Sequence, residues 1–180
     1  LLGAGRIGQV HAATISGHEA TQLVAISDIH TSAAAELAAK YHAQVMSSDE
    51  IMADDTIDAV LIATSTDTHS EFIESATTAD KAVFCEKPID LSLERARACL
   101  LKAVATGKPV MIGFNRRFDP NFAAIKHGLV AGQIGKSELL SITSFDPAPP
   151  PTSYVKISGG LFHDMMIHDF DMANYLMGEV

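Results

Sequence analysis

Gly3, Gly5 and Gly8 stand in the pattern G-x-G-x-x-G, which restricts a fold strongly when its surroundings agree. Here they agree. The loop opens a helical pattern at Arg6 and Ile7 that runs to Ser16. Residues 22–27 (QLVAIS) then read as a buried strand, and Asp28 closes it twenty residues beyond Gly8. In such a unit the first glycine makes a tight turn, the second lets backbone approach a pyrophosphate, and the third lets helix and strand pack closely. The helix start supplies amides and the positive end of the helix dipole to phosphate. Asp28 is placed to accept hydrogen bonds from adenosine ribose hydroxyls, and its charge would repel a 2′-phosphate. That favours NAD over NADP. The following residues, Ile29, His30, Thr31 and Ser32, include no arginine for that phosphate, although His30 leaves dual use open. The alternative, that the glycines merely turn the chain and Asp28 merely starts a turn, ignores the agreement of loop, strand and spacing.

The rest of the first two-thirds keeps the same rhythm. Residues 31–42 are Ala-rich and helical, with Thr31 or Ser32 as N-cap. Strand patterns follow at 58–64, 81–85 and 110–114, with helices at 67–80 and 92–106, the latter ending at Gly107. Strands alternating with helices specify an α/β fold, a Rossmann doubly wound parallel sheet with right-handed crossovers. The rhythm changes near residue 115. Residues 119–131 read as a helix, 138–145 as a strand, 146–151 (DPAPPP) as a proline-rich loop, and about 162–177 as a helix led in by Gly159-Gly160. The expected domains are 1–115, the Rossmann domain, and 116–180, the start of a second domain. Only Leu1 and Leu2 precede the glycine loop, and Gly178-Glu179-Val180 follow the last helical pattern. The chain therefore reads as an internal fragment, with both the first strand and the second domain truncated.

Composition narrows the function classes. With 47% hydrophobic and 19% charged residues, the chain can bury a core. A net charge of −9 without a basic stripe argues against nucleic acid and anionic membrane as partners, and no apolar run is long enough to cross a bilayer. Cys85 and Cys99 form no metal or CxxC spacing, which fits a reducing cytoplasm.

Two further clusters carry chemistry. Glu86-Lys87-Pro88 leaves the strand at 81–85 on the edge where such sheets bind ligands, so Lys87 is placed to meet a substrate; alone, it could equally be a solvated lysine before a proline turn. In the last helix Asp164 and His168 are i,i+4 and Asp171 is i,i+7, which puts all three on one face of an α-helix. Phe162, Met165, Met166, Met172 and Leu176 can cover the other side. A carboxylate orienting an imidazole suits proton abstraction. A metal site built from His163, Asp164, His168 and Asp171, or a solvated acidic face, remain open for the isolated helix. The Rossmann context favours acid–base chemistry and no metal.

Together GAGRIG, CEKP, GFNRRFDP and GGLFHDMMIHDFDMA resemble the Gfo/Idh/MocA oxidoreductases over the whole chain, and CEKPIDLS, GFNRRFDPNF and DPAPPPTSY are most similar to inositol 2-dehydrogenases among them. The resemblance implies a second, α+β substrate domain with a mostly antiparallel sheet. It implies NAD-dependent oxidation of a secondary alcohol of a cyclitol or sugar, such as the 2-hydroxyl of myo-inositol. By the same resemblance Lys87 holds a substrate hydroxyl, His168 is the general base, Asp164 orients it and Asp171 supports the substrate end. Thr64, Ser65, His69, Glu86 and Arg116 line the nicotinamide side, Arg116 also reaching substrate, and Asp146 contacts substrate from the proline-rich loop. The full-length protein would be a homo-oligomer, dimer or tetramer. Alternatives are another sugar or scyllo-inositol dehydrogenase, or a non-catalytic NAD-binding sensor on the same fold. A sensor would not need Lys87, Asp164 and His168 together.

Overall fold

The structure, a computed structural model, describes residues 1–145, 148–150, 152–155 and 158–178. Two compact units divide it, Leu1–Gly113 and Phe114–Val180, and each is described by itself.

In the first unit the elements are α1 (Arg6–Gly17), β1 (Ala25–Ile26), α2 (Thr31–Tyr41), β2 (Gln44–Val45), α3 (Ser48–Ala53), β3 (Ala59–Ile62), α4 (His69–Thr78), β4 (Ala82–Cys85), α5 (Leu93–Thr106) and β5 (Val110–Ile112). All strand pairs are parallel: β1 with β2, β3 with β4, and β4 with β5. Leu2 joins the two groups, bridging to Ser27 on one side and Ile62 on the other. Leu2 N–H donates to the Leu61 carbonyl (2.8 Å), Ala63 N–H to the Leu2 carbonyl (2.7 Å), and Gly3 N–H to the Ser27 carbonyl (2.8 Å). The order is therefore β2-β1-Leu2-β3-β4-β5, that of a dinucleotide-binding sheet read outward from its first strand.

A sheet covered on both faces needs two cores, and both are present. Ile51, Val60, Ile62, Ile73, Ala76, Val83, Cys85 and Cys99 belong to one buried cluster, which brings α3, α4 and α5 to that face. Ala12, Leu23, Ile26, Ala34, Leu37 and Ala38 belong to the other, with α1 and α2. Lys81 is 3% exposed, yet its ammonium donates to the carbonyls of Asp54 (2.7 Å) and Ile57 (2.9 Å), so the charge is not left unpartnered.

Several local expectations are corrected. Neither Thr31 nor Ser32 caps α2: the N-cap is His30, with no side-chain cap, and His30 N–H donates instead to Asp28 Oδ1 (2.7 Å). The strand expected at 22–27 narrows to two residues. β2 and α3 were not expected at all. Ser47 and Glu50 form a capping box at the start of α3, Ser47 Oγ accepting from Glu50 N–H (3.2 Å) and Glu50 Oε2 from Ser47 N–H (2.8 Å). Ser92 caps α5, and Gly107 ends it with φ +72°.

The second unit holds α6 (Pro120–Val130), α7 (Thr152–Val155) and α8 (Ile167–Met177). Asp119 caps α6 by accepting from the N–H groups of Asn121 and Phe122, and Pro120 occupies the first turn. Residues 138–145 form no strand. Strand geometry needs a hydrogen-bonded neighbour, and no described residue supplies one. A π-helical turn at Phe162–Met166 precedes α8, so the uniform α-helical spacing used for Asp164 and His168 does not hold there. Phe162 is 63% exposed rather than core-facing, whereas Met172 is buried. No helix of the described residues is long and apolar enough to cross a membrane.

Ile73 has no exposed surface and Leu101 is 75% exposed. Urea unfolding followed by circular dichroism should show Ile73→Ala destabilising by about 2–5 kcal/mol. Leu101→Ala should change stability by less than about 0.5 kcal/mol.

Candidate cofactor and catalytic site

The glycine loop has the geometry its sequence requires. Gly3 has φ +97°, and a Cβ there would lie 2.4 Å from the Ala63 carbonyl oxygen. A Cβ on Gly8 would lie 2.1 Å from the Gly3 carbonyl oxygen. A Cβ on Gly5 would meet nothing within 4 Å. Thus two glycines are demanded by the fold itself, while Gly5 faces open space. Gly5, Arg6 and Ile7 are exposed at the start of α1, where no side chain caps the helix amides. Asp28 is tied to the same loop: its Oδ2 accepts from Ala4 N–H at 2.6 Å. A carboxylate has about four acceptor positions, so two backbone bonds leave capacity for a ribose diol. The exposed amides, the cradle at Gly5 and the anchored carboxylate fit NAD.

Beyond β3 the chain makes a tight turn in which the Thr64 hydroxyl lies 2.7 Å from that of Thr68, and Thr68 Oγ1 donates to the Ser65 carbonyl (2.8 Å). Ser65 is exposed. His69 is not: it is 1% exposed, with Nδ1 2.7 Å from the Pro88 carbonyl oxygen and Nε2 3.2 Å from that of Thr64. Its ring is buried between two loops with both nitrogens on backbone carbonyls, so His69, expected to line the nicotinamide side, instead packs beneath it.

Beyond β4 comes Glu86-Lys87-Pro88, with a cis Lys87–Pro88 peptide. Lys87 is half-buried. Glu86 Oε1 pairs with His11 Nε2 at 2.7 Å, and Phe84 meets the His11 ring edge-on, centroids 5.3 Å apart. Burial works to raise the Glu86 carboxyl's pKa, but the His11 hydrogen bond and charge, the Lys87 amide and the Lys87 charge together hold it below the ordinary carboxylate value. Burial raises both thiols, Cys99 to about 11, and Cys85 further still.

In the second unit Asp164 and His168 are half-buried, Asp164 in the π-helical turn and His168 at the start of α8. The two arginines of Arg116-Arg117 take separate carboxylates. Arg116 Nη1 pairs with Asp169 Oδ1 (2.5 Å), and Ser144 Oγ donates to that same oxygen (2.7 Å). Arg117 grips Asp171 twice, Nε to Oδ2 (2.8 Å) and Nη2 to Oδ1 (2.5 Å), and lies over the Tyr175 ring. The Asp171 hydrogen bond and charge raise the Arg117 pKa. Among the described residues no three potential ligands gather as for a metal; His163 lies instead with Nδ1 3.1 Å from the Gly159 carbonyl oxygen. Asp146 lies outside the described residues.

His11, Arg117, Asp169 and Ser144 were not singled out from sequence. Arg117 and Asp169 lie inside the quoted motifs, but nothing local gives the roles of these four, since their partners lie 25 to 75 positions away.

Sheet order, glycine loop and anchored acid define an NAD-binding Rossmann domain. Comparison with known proteins makes this specific. Residues 1–114 match the oxidoreductase family with NAD-binding Rossmann fold, and residues 122–180 match the Gfo/Idh/MocA C-terminal domain. The chain belongs to the Gfo/Idh/MocA oxidoreductase family. It is 53% identical to an inositol 2-dehydrogenase of Rhizobium meliloti (strain 1021) over 179 residues, 99% of this chain and 54% of that protein. A myo-inositol dehydrogenase structure from Corynebacterium glutamicum superposes with TM-score 0.92 at 46% identity, covering 97% of this chain and 53% of that one. A Lactobacillus casei scyllo-inositol dehydrogenase with bound NAD(H) and scyllo-inositol superposes with TM-score 0.86 at 31% identity, covering 98% and 55%. The chain spans about half the length of the curated relatives it matches.

Because a Cβ on Gly5 enters open space, Gly5→Val should leave the urea midpoint nearly unchanged while weakening NAD+ binding at least tenfold in titration calorimetry. Gly8→Ala should lower the midpoint itself, since its Cβ collides with fixed backbone.

Proposed function

We propose that the full-length protein oxidises a secondary alcohol of a cyclitol with NAD+, myo-inositol to the 2-keto inositol being the favoured reaction. The observation that carries this reading is the NAD-type cradle of Gly3, Gly5, Gly8 and Asp28, in one chain with Lys87, Asp164 and His168 and with 53% identity to an inositol 2-dehydrogenase. Bound at the cradle, NAD+ would accept a hydride from the alcohol carbon. Lys87 donates a hydrogen bond to the reacting hydroxyl and favours its loss of a proton. His168 takes that proton as general base, and Asp164 orients the imidazole and stabilises its charged form. Thr64, Ser65, Glu86 and Arg116 shape the nicotinamide side, Arg116 through its fixed position on Asp169 and Ser144. Asp171 supports the substrate end while held by Arg117. The likeness to the L. casei enzyme favours scyllo-inositol as the second substrate. Cys85 and Cys99 are buried free thiols, which fits a reducing cytoplasm.

The direct test is reduced-nicotinamide absorbance with the full-length protein, NAD+ or NADP+, and myo-inositol, scyllo-inositol or glucose. Reduction of NAD+ with myo-inositol is expected; NAD binding without reduction by any of them would overturn the cyclitol reading and favour another substrate or the sensor. His168→Ala should lower turnover by about 10²–10⁴-fold with NAD+ affinity kept. In a separate binding titration, Asp28→Ala should weaken NAD+ far more than NADP+, and equal losses would remove the assigned ribose contact.

A further inference from the structure

The turn that carries Lys87 is held on both flanks by a histidine, and the two come from opposite faces of the sheet. His11 lies on α1, whose Ala12 belongs to one buried cluster. His69 begins α4, whose Ile73 and Ala76 belong to the other. Strand pairing fixes the backbone as far as Glu86, whose N–H donates to the Ile62 carbonyl (2.9 Å), while Gly113 N–H donates to the Cys85 carbonyl (2.8 Å). After Glu86 no ladder continues, and the side-chain contacts take over. A carboxylate held ionised can only accept, so His11 Nε2 donates to Glu86 Oε1 (2.7 Å). A carbonyl can only accept, so His69 Nδ1 donates to Pro88 O (2.7 Å). Gly113 makes room for this arrangement: a Cβ there would lie 3.2 Å from Phe84 and 3.4 Å from the Glu86 carboxylate. Phe84, edge-on to His11, fixes that ring in turn. A further tie from Ser70, the residue after His69, joins Oγ to Asp90 Oδ2 (2.8 Å) and anchors the loop three residues beyond Lys87.

We propose that His11 and His69 are positioning residues that clamp Glu86-Lys87-Pro88 from the two faces of the sheet and thereby set where the Lys87 ammonium stands. They act through Glu86 and Pro88, and His69 does so from a ring too buried to touch a ligand. The inference rests on the catalytic role of Lys87 stated above. Precise placement of a hydrogen-bonding group is worth much of its effect, and a displacement near 1 Å costs on the order of 100-fold.

The test uses full-length protein with His11→Ala, His69→Ala and two conservative variants. His11→Gln places an amide donor where Nε2 stood, and His69→Asn places one where Nδ1 stood. For each, kcat, KM for inositol, NAD+ affinity, thermal midpoint and the acetylation rate of Lys87 by mass spectrometry are measured. The alanine variants should lose about 10- to 100-fold in kcat. Their loss in kcat should exceed their loss in NAD+ affinity, and Lys87 acetylation should rise several-fold. His11→Gln and His69→Asn should recover most of kcat. Alanine variants with unchanged kcat and Lys87 reactivity would overturn the clamp. So would conservative variants no better than alanine at the same thermal midpoint. Lys87→Met separates the two levels: turnover surviving it would remove the role of Lys87 and the clamp with it, whereas its loss alongside unaffected histidine variants would remove the clamp alone.

Discussion

The cofactor half of the molecule depends on the backbone of Leu2 and Gly3. Among the described residues Leu2 bridges the β1-β2 pair to the β3-β4-β5 group: its own N–H and carbonyl bond to Leu61 and Ala63, while its neighbours Leu1 and Gly3 bond to Ser27 through carbonyl and N–H. That pairing puts the glycine turn at the edge where the parallel strands end, beside Asp28 and the Thr64 and Glu86 turns. Gly3 passes so close to Ala63, and Gly8 so close to Gly3, that neither position has room for a side chain. Asp28 then locks it from outside by accepting from Ala4. A phosphate-binding loop fixed before its ligand arrives spends little of the binding energy on ordering.

This part of the fold was legible in the sequence because its determinants are local. The glycine spacing, the strand that follows and the acid that ends it all fall within 28 residues. The alternation of apolar runs and helical patterns likewise placed β3, β4, β5 and the helices between them. Where strands shrink to two residues the signal fades. β2 lacks a buried residue to mark it, and α3 is only six residues long, so the segment between residues 42 and 58 was not read as structured.

The features that sequence did not show are those set by distant partners. Residues 138–145 have a strand's composition, yet a strand exists only beside another, and the described residues offer none. Leu139 and Phe145 are each 88% exposed as a result. The π-helical turn at Phe162–Met166 likewise has no marker in local composition, yet it changes which side chains align with His168. His11 and Glu86, 75 positions apart, meet only because α1 and the end of β4 lie against each other in the folded sheet.

The same dependence on partners sorts the carboxylates of the last helix, which look equivalent on paper. Asp171 has a side chain only 8% exposed, and a charge so placed is tolerable only when paired. Arg117 supplies the pair in bidentate form, a geometry that lysine could not reproduce. Asp169 is taken by Arg116 and Ser144. Adjacent arginines in one turn therefore fasten two carboxylates of α8, and a substrate hydroxyl that reached Asp171 would have to share its oxygens with Arg117. Charge clustering in the sequence identified the region; the assignment of each acid comes from which cation reaches it.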